Sequence, residues 1–339
     1  MSTAFQIRHK EKHYVCKNQD VIYDGVYLFT NQRGIQKSAL IRPPEKPLAW
    51  ISAYGSVTVS QNGKEFPNGG MNEVGLVVEQ TTLWQTEYPA LDDRPVVGEL
   101  QWIQYFLDTC GSVQEVLAQA PFLRIGQSTS QLHYLLVDRT GERAIIEFLE
   151  GEMILHSEAL SLPAITNTAY RDSIQYLQAD DHQWEQWEDY PRNSMARFFQ
   201  VAERLQAEAS ESAAIDFAFD VLQEVRREDT VFSLVYDLAR LEIHATTSRH
   251  PRRHRISLAA FDFDPELPGK AADLQGQPGG QDLIGFNAYT SEINLHVVSS
   301  FFRDPVLTSI FKWDISDEML QYLSHYPATL TKATEGKDD

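Results

Sequence analysis

The side chains that could do chemistry sit in a few short segments. Ser2-Thr3-Ala4-Phe5 places a hydroxyl directly behind Met1, and Lys17-Asn18-Gln19-Asp20 offers a cation and a carboxylate. Gly70-Met71-Asn72-Glu73-Val74-Gly75-Leu76 is a polar turn opening into an apolar run. Thr166-Asn167 offers a neutral amide, and Ser194-Met195-Ala196-Arg197-Phe198 a guanidinium. A serine hydroxyl is a poor nucleophile near pH 7 and depends on a base and on donors for the charge it creates. Residue 2 is small, which suits removal of Met1. The α-amino group so freed has a pKa of about 7.7–8.0, close to what a general base needs at neutral pH. With Met1 attached, the same nitrogen is an amide with no lone pair to offer. Other chemistry finds less support. His244, His250 and His254 make no tetrahedral pattern with cysteines or carboxylates, so no metal is expected. No GxGxxG, P-loop or GxSxG motif occurs, so no nucleotide cofactor is expected either. Cys16 lies within a strand run and reads as a small core hydrophobe.

The elements that must hold these residues begin with strands. Thr3–Arg8 and His13–Asn18 alternate across a polar turn, Pro47–Gln61 is β-rich, and Asn62-Gly63 signals a hairpin into Lys64-Glu65-Phe66. Gly75–Leu83 is a further strand. Leu100, Ile103, Phe106 and Leu107 then recur at helical spacing, and Ser112 caps a second helix. Strands return at Leu132–Asp138, Ala144–Leu149 and Glu152–His156. Two helices follow Asn167, on the stripes Met195/Phe198/Ala202/Leu205 and Ile215/Phe219/Leu222/Val225. Strands at Val231–Asp237, Leu241–Ala245 and Ile256–Phe263 close the main part. The grouping favours antiparallel sheets layered with helices over a doubly wound parallel fold. Pro265–Gln281 has linker composition, Asn287–Phe302 reads as a helix with Leu295, Val298 and Phe302 on one stripe, and Lys332–Asp339 as a frayed tail. Of 339 residues, 29 are Lys or Arg and 48 Asp or Glu, a net charge of −19. That balance argues against nucleic acid, which needs a basic face. No apolar stretch is long enough to span a bilayer. The N-terminal residues lack a secretory pattern, and with two cysteines, Cys16 and Cys110, this fits a reducing cytoplasm.

Taken together, the segments resemble the choloylglycine hydrolase family, linear-amide hydrolases that include conjugated bile acid hydrolases and penicillin V acylases. Ser2-Thr3-Ala4-Phe5 is similar to the family's mature start Cys-Thr-x-Phe, with Ser for Cys. Lys17 to Asp20 is similar to Arg-x-x-Asp, and residues 70–76 to Gly-x-Asn-Glu-x-Gly-Leu. Thr166-Asn167, residues 194–198, Leu132-His133-Tyr134 with Asp138 and Gly141, and Thr230 to Asp237 follow in the family's order, so the resemblance covers residues 2–264. It implies an α+β fold, a four-layer αββα sandwich of two antiparallel sheets between helical layers, over 2–264, with 265–339 as linker and helical extension packing on the domain or a neighbouring subunit. It implies that Ser2 attacks the amide, its α-amino group moves the proton, Asp20 holds that amine, and Asn167 donates to the oxyanion. A main-chain N–H about ten residues beyond the motif asparagine, falling on Thr82, is the second donor. Arg197 organises Ser2 and Asp20. Lys17 stands where the family has Arg and loses its planar fork. Asn72 supports the site as a turn residue, beside Gly75. The implied partner is a small N-acyl amide with an apolar acyl group, in a homo-oligomer, since family members often form tetramers.

Several readings stay open. Ser2 is natural and active, or an engineered replacement of Cys, or the mark of a non-catalytic relative that binds the acyl amide. The acyl amide itself is a bile acid conjugate, a phenoxyacyl penicillin, an N-acyl homoserine lactone or another. Trp184, Trp187 and Tyr190 are an aromatic lid over an acyl chain or aromatics tucked against the surface. The basic run Arg249–Arg255 is read as a solvated hairpin loop.

Overall fold

The computed structural model describes residues 1–157, 160–179, 186–206, 214–277 and 284–333. The chain opens with β1 (Ser2–His9), β2 (Lys12–Asp20), β3 (Tyr27–Asn31), β4 (Ile35–Ser38), β5 (Ala49–Ile51), β6 (Ser56–Ser60), β7 (Gly69–Asn72) and β8 (Val77–Thr82). Short β9 (Val96–Val97) leads to helices α1 (Glu99–Thr109) and α2 (Val113–Gln119). After these come β10 (Arg124–Ile125), β11 (Leu132–Val137), β12 (Arg143–Leu149), β13 (Glu152–His156) and β14 (Ala164–Ile165). Helices α3 (Tyr170–Gln178), α4 (Asp189–Gln206) and α5 (Ala214–Glu224) precede β15 (Thr230–Asp237), β16 (Glu242–Thr247) and β17 (His254–Ser257). The remainder carries β18 (Lys270–Asp273), β19 (Asn287–Ala288), α6 (Ser291–Phe302), α7 (Pro305–Phe311), α8 (Asp317–His325) and β20 (Thr331–Lys332).

Among the described residues, one sheet runs β14-β1-β2-β15-β16-β17 and the other β13-β12-β11-β8-β7-β6-β3-β18-β19, with antiparallel pairing throughout both. Alternation divides each strand's side chains between two layers. On β2, Lys17 points toward the other sheet and meets Glu79 of β8 at 3.6 Å, while Asn18 points outward and donates to the Leu222 carbonyl of α5 at 2.8 Å. Helices α4 and α5 cover the first sheet, and α1 covers β7 and β8 of the second. This is the four-layer α+β sandwich that the sequence leads one to expect. The core between the sheets joins Val15 to Val57, Met71 and Leu135, while Phe5 and Cys16, paired on the Asn18 face, lie toward the helices.

Local signals mostly hold where a side chain satisfies a backbone group. Ser112 caps α2 by accepting from the Glu115 N–H. Gly75 sits at φ +94°, and a Cβ there would meet Arg139 Cβ at 3.0 Å. Other expectations are corrected. Asn62-Gly63 does not open a hairpin strand at 64–66. The Ser60 hydroxyl bonds the Gly63 and Phe66 carbonyls, at 2.8 Å each, and pairing resumes only at β7. Helix α3 arises where none was expected. Ile256–Phe263 is strand only over β17, and its end forms a short 3-10 turn at Leu258–Ala260.

The largest correction concerns 265–277, the described part of the expected linker. Its β18 pairs with β3 and so extends the central sheet. Beyond it, α6 begins at Ser291 and turns Asn294, Val297 and Val298 inward in place of Leu295 and Phe302. Asn294 accepts from the Lys64 N–H and donates to the Ser324 carbonyl, both at 2.8 Å. Ending the chain at Gly269 should therefore strip a strand from β3, uncover Phe29, and lower the thermal midpoint while raising binding of a hydrophobic dye. An unchanged melting curve would show that the segment has no packing role. No helix among the described residues is long and apolar enough to cross a membrane.

Candidate active site

Ser2 opens β1, opposite Gln19. It is not on a sheet edge, because β2 and β14 flank β1. However, β14 pairs only with Ala4 and Phe5, so the backbone at Ser2 lies past its end. The Ser2 N–H donates to Asn167 Oδ1 at 3.2 Å, and its Oγ donates to the Met1 carbonyl and to Gln19 Oε1 at 3.3 Å. Asn167 follows β14 by two residues, so the same short strand that stops before Ser2 delivers the amide that caps it.

Arg197 comes from α4. It lies off the apolar stripe that defines this helix, yet against the end of β1 it is only 3% exposed. Its Nη1 donates to the Ser2 carbonyl and to Thr3 Oγ1, both at 2.6 Å, and its Nη2 to Asn167 Oδ1 at 2.6 Å. Asn193, one turn earlier, accepts from Nε at 2.9 Å. Burial draws the guanidinium down to about 10, with Asp20 opposing. Asp20 ends β2 with its side chain buried. Its Oδ1 accepts from Thr230 Oγ1 at 2.7 Å, and Oδ2 lies 4.0 Å from Arg197 with no hydrogen-bond donor among the described residues. Burial raises its pKa against the pull of Arg197 and Thr230.

Thr82 ends β8. Leu83 N–H donates to the Gln131 carbonyl at 3.0 Å, so alternation turns the Thr82 N–H and C=O away from β11. Pairing with β7 stops at Glu79, and on this freed edge the Thr82 carbonyl accepts from Asn167 Nδ2 at 2.7 Å. Ser2, Asn167, Arg197, Asp20 and Thr82 thus converge from five elements. Lys17 and Asn72 do not join them. The Lys17 ammonium is buried, bonded to the Gln80 carbonyl and paired with Glu79, so it is no solvated strand lysine. Burial lowers the lysine and raises the glutamate, each toward its neutral form. Asn72 Nδ2 bonds the Leu107 and Cys110 carbonyls, and Oδ1 accepts from Leu76 N–H at 2.9 Å, which ties the β7–β8 turn to the end of α1.

Sequence reasoning passed over several participants. Ser194 Oγ accepts from the Asn167 N–H at 2.9 Å and meets both the Thr166 and Thr168 hydroxyls. Its signal was present, since Ser194 and Arg197 at i, i+3 share a helix face. Behind Asn167, His133 Nδ1 lies 2.9 Å from Glu147 Oε1, and His133 Nε2 lies 3.1 Å from the Thr166 carbonyl. Glu147 also takes Tyr170 N–H at 2.9 Å and His156 Nε2 at 3.1 Å. Burial by itself would raise this carboxyl, but the two histidines hold it down at about 2. Because the folded value lies below the ordinary 4.5, its contribution to stability is full above 4.5 and is lost as pH falls toward 2. Glu147→Gln should cost about 3–5 kcal/mol near pH 7, the range for breaking a buried pair. The gap to wild type should begin to narrow below pH 4.5 and close only near pH 2. Thermal unfolding at several pH values measures it, and a gap independent of pH would refute the ion pair.

A cleft of about 560 Å³ opens beside Met1 and is lined by Tyr190, Asn193, Ala196, Arg192 and Arg227. Met1 is part of its lining: its amine donates to the Asp20 carbonyl at 2.9 Å, and burial lowers that amine to about 6. Of the three aromatics expected as a lid, Tyr190 lines the cleft and packs on exposed Trp84, with ring centroids 5.9 Å apart. Trp187 turns aside to pack on Tyr176, and Trp184 lies outside the described residues. The basic run leads from β16 into β17, with Arg249, Arg253 and Arg255 paired with Asp24, Asp216 and Glu242. Among the described residues no group of His, Cys, Asp or Glu could hold a metal.

Comparison with known proteins bears on the same region. The family model for linear amide C–N hydrolases of the choloylglycine hydrolase family matches residues 5–187. A penicillin V acylase of Pectobacterium atrosepticum is 34% identical over 125 residues, 32% of this chain. The matched stretch spans 33% of that relative's length. Penicillin V acylase from Agrobacterium tumefaciens superimposes with a TM-score of 0.65 at 24% identity, covering 81% of this chain and 92% of that one. A variant of conjugated bile acid hydrolase from Clostridium perfringens does so at 0.63 and 13%, covering 85% and 97%. At these identities the superpositions speak for a shared fold.

Proposed function

Since the chain belongs to the choloylglycine hydrolase family of linear amide C–N hydrolases, we propose that it cleaves an N-acyl amide through Ser2 once Met1 is removed. The observation that carries this reading is the convergence on Ser2 of Asn167 and Arg197, which come from parts of the chain 165 and 195 residues away. Ser2 Oγ attacks the amide carbon while the freed α-amino group takes its proton. The resulting oxyanion lies between Asn167 Nδ2, which keeps one N–H beyond its bond to Thr82, and the Thr82 N–H. The intermediate collapses, the C–N bond breaks, and the amine leaves with the proton held on the α-ammonium. Water then attacks the Ser2 ester and releases the acid. Asp20 and Arg197 take no proton in this scheme. Asp20 Oδ2 offers the acceptor for the ammonium form, and Arg197 fixes the Ser2 carbonyl and Asn167 Oδ1 in one geometry.

The cleft supplies Tyr190, backed by exposed Trp84, for an apolar acyl group, in keeping with relatives named for penicillin V and conjugated bile acids. A panel of phenoxyacetyl, steroidal and fatty N-acyl amides, assayed on Met-free protein, tests the reading. Wild type should turn over at least one member, Ser2→Cys should match or exceed it, and Ser2→Ala should be inert. Hydrolysis that survives Ser2→Ala would overturn the assignment. A second reading, a binder of acyl amides without turnover, is favoured by Ser2 itself and by the Met1 carbonyl held on its hydroxyl. It requires Met1 to persist, which intact mass measures.

A further inference from the structure

The cluster behind the site joins two strands that the reaction uses separately. Thr81 precedes Thr82 on β8, and Thr166 precedes Asn167 beyond β14. The Thr81 hydroxyl donates to the Thr166 carbonyl, and His133 Nε2 meets both groups. A carbonyl only accepts, so Nε2 carries a proton. Glu147 accepts from the Tyr170 N–H and from His156, and toward His133 Nδ1 it is again an acceptor. Both ring nitrogens therefore face acceptors, Nδ1 the Glu147 carboxylate and Nε2 the Thr166 carbonyl. Glu147 from β12 faces it, and His156 from β13 and Tyr170 with Asp172 from α3 act on that carboxylate. The Glu79–Lys17 pair lies two residues along the same face of β8. Serine attack does not use this cluster, yet its charge is buried and its hydrogen bonds are committed.

Resting on the reading of Asn167 and Thr82 as oxyanion donors, we propose that His133, held in place by Glu147, is a positioning residue that sets the distance between those two donors. It clamps the Thr166 carbonyl to the Thr81 hydroxyl, and each clamped residue is the immediate neighbour of a donor. Misplacing catalytic groups by about 1 Å costs on the order of 10²-fold in rate, so a buried clamp one residue away is placed to matter.

Two substitutions separate the clamp from simple packing. His133→Gln keeps a side-chain N–H where Nε2 stands, while His133→Asn keeps one only where Nδ1 stands. Using the most reactive amide of the panel, His133→Asn should lower kcat about tenfold to 10²-fold with KM changed less than about threefold. His133→Gln should keep most of the rate. The ¹⁵N–¹H resonances of the Asn167 side-chain amide, recorded on the same proteins, should move in His133→Asn and stay near their wild-type positions in His133→Gln. Wild-type kcat in a folded His133→Asn protein, or unmoved Asn167 resonances, would overturn the proposal. Equal loss in both variants would reduce His133 to packing and overturn it as well. If Met-free wild type cleaved no amide, the hydrolase reading would fail by itself, and the Asn167 resonances would still decide whether His133 sets that side chain's position.

Discussion

Protein that keeps Met1 should hydrolyse its amide about 10²–10⁴-fold more slowly than protein beginning at Ser2, the range a general base supplies. The comparison needs no substitution, since two preparations differing by one methionine can be told apart by mass. In the retained form the Ser2 nitrogen is an amide whose N–H is already given to Asn167, and the Met1 side chain and carbonyl occupy the attack side. The processed form should also show a displaced pH profile. Burial draws the Met1 amine from 8.0 down to about 6, and Ser2 beside it is buried, so its freed amine meets the same kind of desolvation. The base works unprotonated, so kcat/KM should rise with pH along a limb below the ordinary α-amino range and level off above it. Equal rates for the two forms would remove the α-amino group from the mechanism. A limb at or above pH 8 would show that burial does not tune it.

Asn167→Asp should lower kcat about 10²–10³-fold, the cost of one lost oxyanion donor. This change is sharper than truncation because the two ends of the Asn167 amide do different things. Oδ1 receives Ser2 N–H and Arg197 Nη2, while Nδ2 is bonded to Thr82. Aspartate keeps the acceptor that orders Arg197 and replaces the donor with an oxygen that repels both the Thr82 carbonyl and the developing oxyanion. KM should move far less than kcat, because the oxyanion exists only in the transition state. Single-turnover rates on the best amide measure this, and an unchanged rate would take Asn167 out of the oxyanion site.

What could be read from the sequence followed periodicity. The hairpin of β1 and β2 and the stripe of α4 are visible because one face is apolar and the other is not. Arg197 lies off that stripe, and periodicity therefore places it in water. It is buried because the flank of α4 meets the end of β1, a contact between residues 195 apart that no local window contains. Lys17 misleads in the same way, since its partner Glu79 sits on the opposite sheet. The strand β18 was hidden by its surroundings: four residues, Lys270 to Asp273, lie within a run of glycine and proline that locally signals a loop. Glu147 was the missed opportunity. A carboxylate inside Ala144-Ile145-Ile146-Glu147-Phe148-Leu149 has no reason to be there without a buried cation, and His133 stands in the neighbouring strand at a comparable apolar position.

The placement of β2 between β1 and β15 has a consequence for when the N-terminus can be trimmed. In the finished fold Met1 lines the cleft with its amine bonded to the Asp20 carbonyl, so a peptidase meets an end that is held. That arrangement waits for Thr230–Asp237, the strand that pairs with β2 and brings Thr230 onto Asp20. Synthesis proceeds at about 5–20 residues per second, so the first residues hang loose for roughly 10–50 seconds before their partner strand exists. Slow translation of the middle of the chain would lengthen that interval and fast translation would shorten it. The fraction of molecules that start at Ser2 then becomes a record of how quickly each one was made.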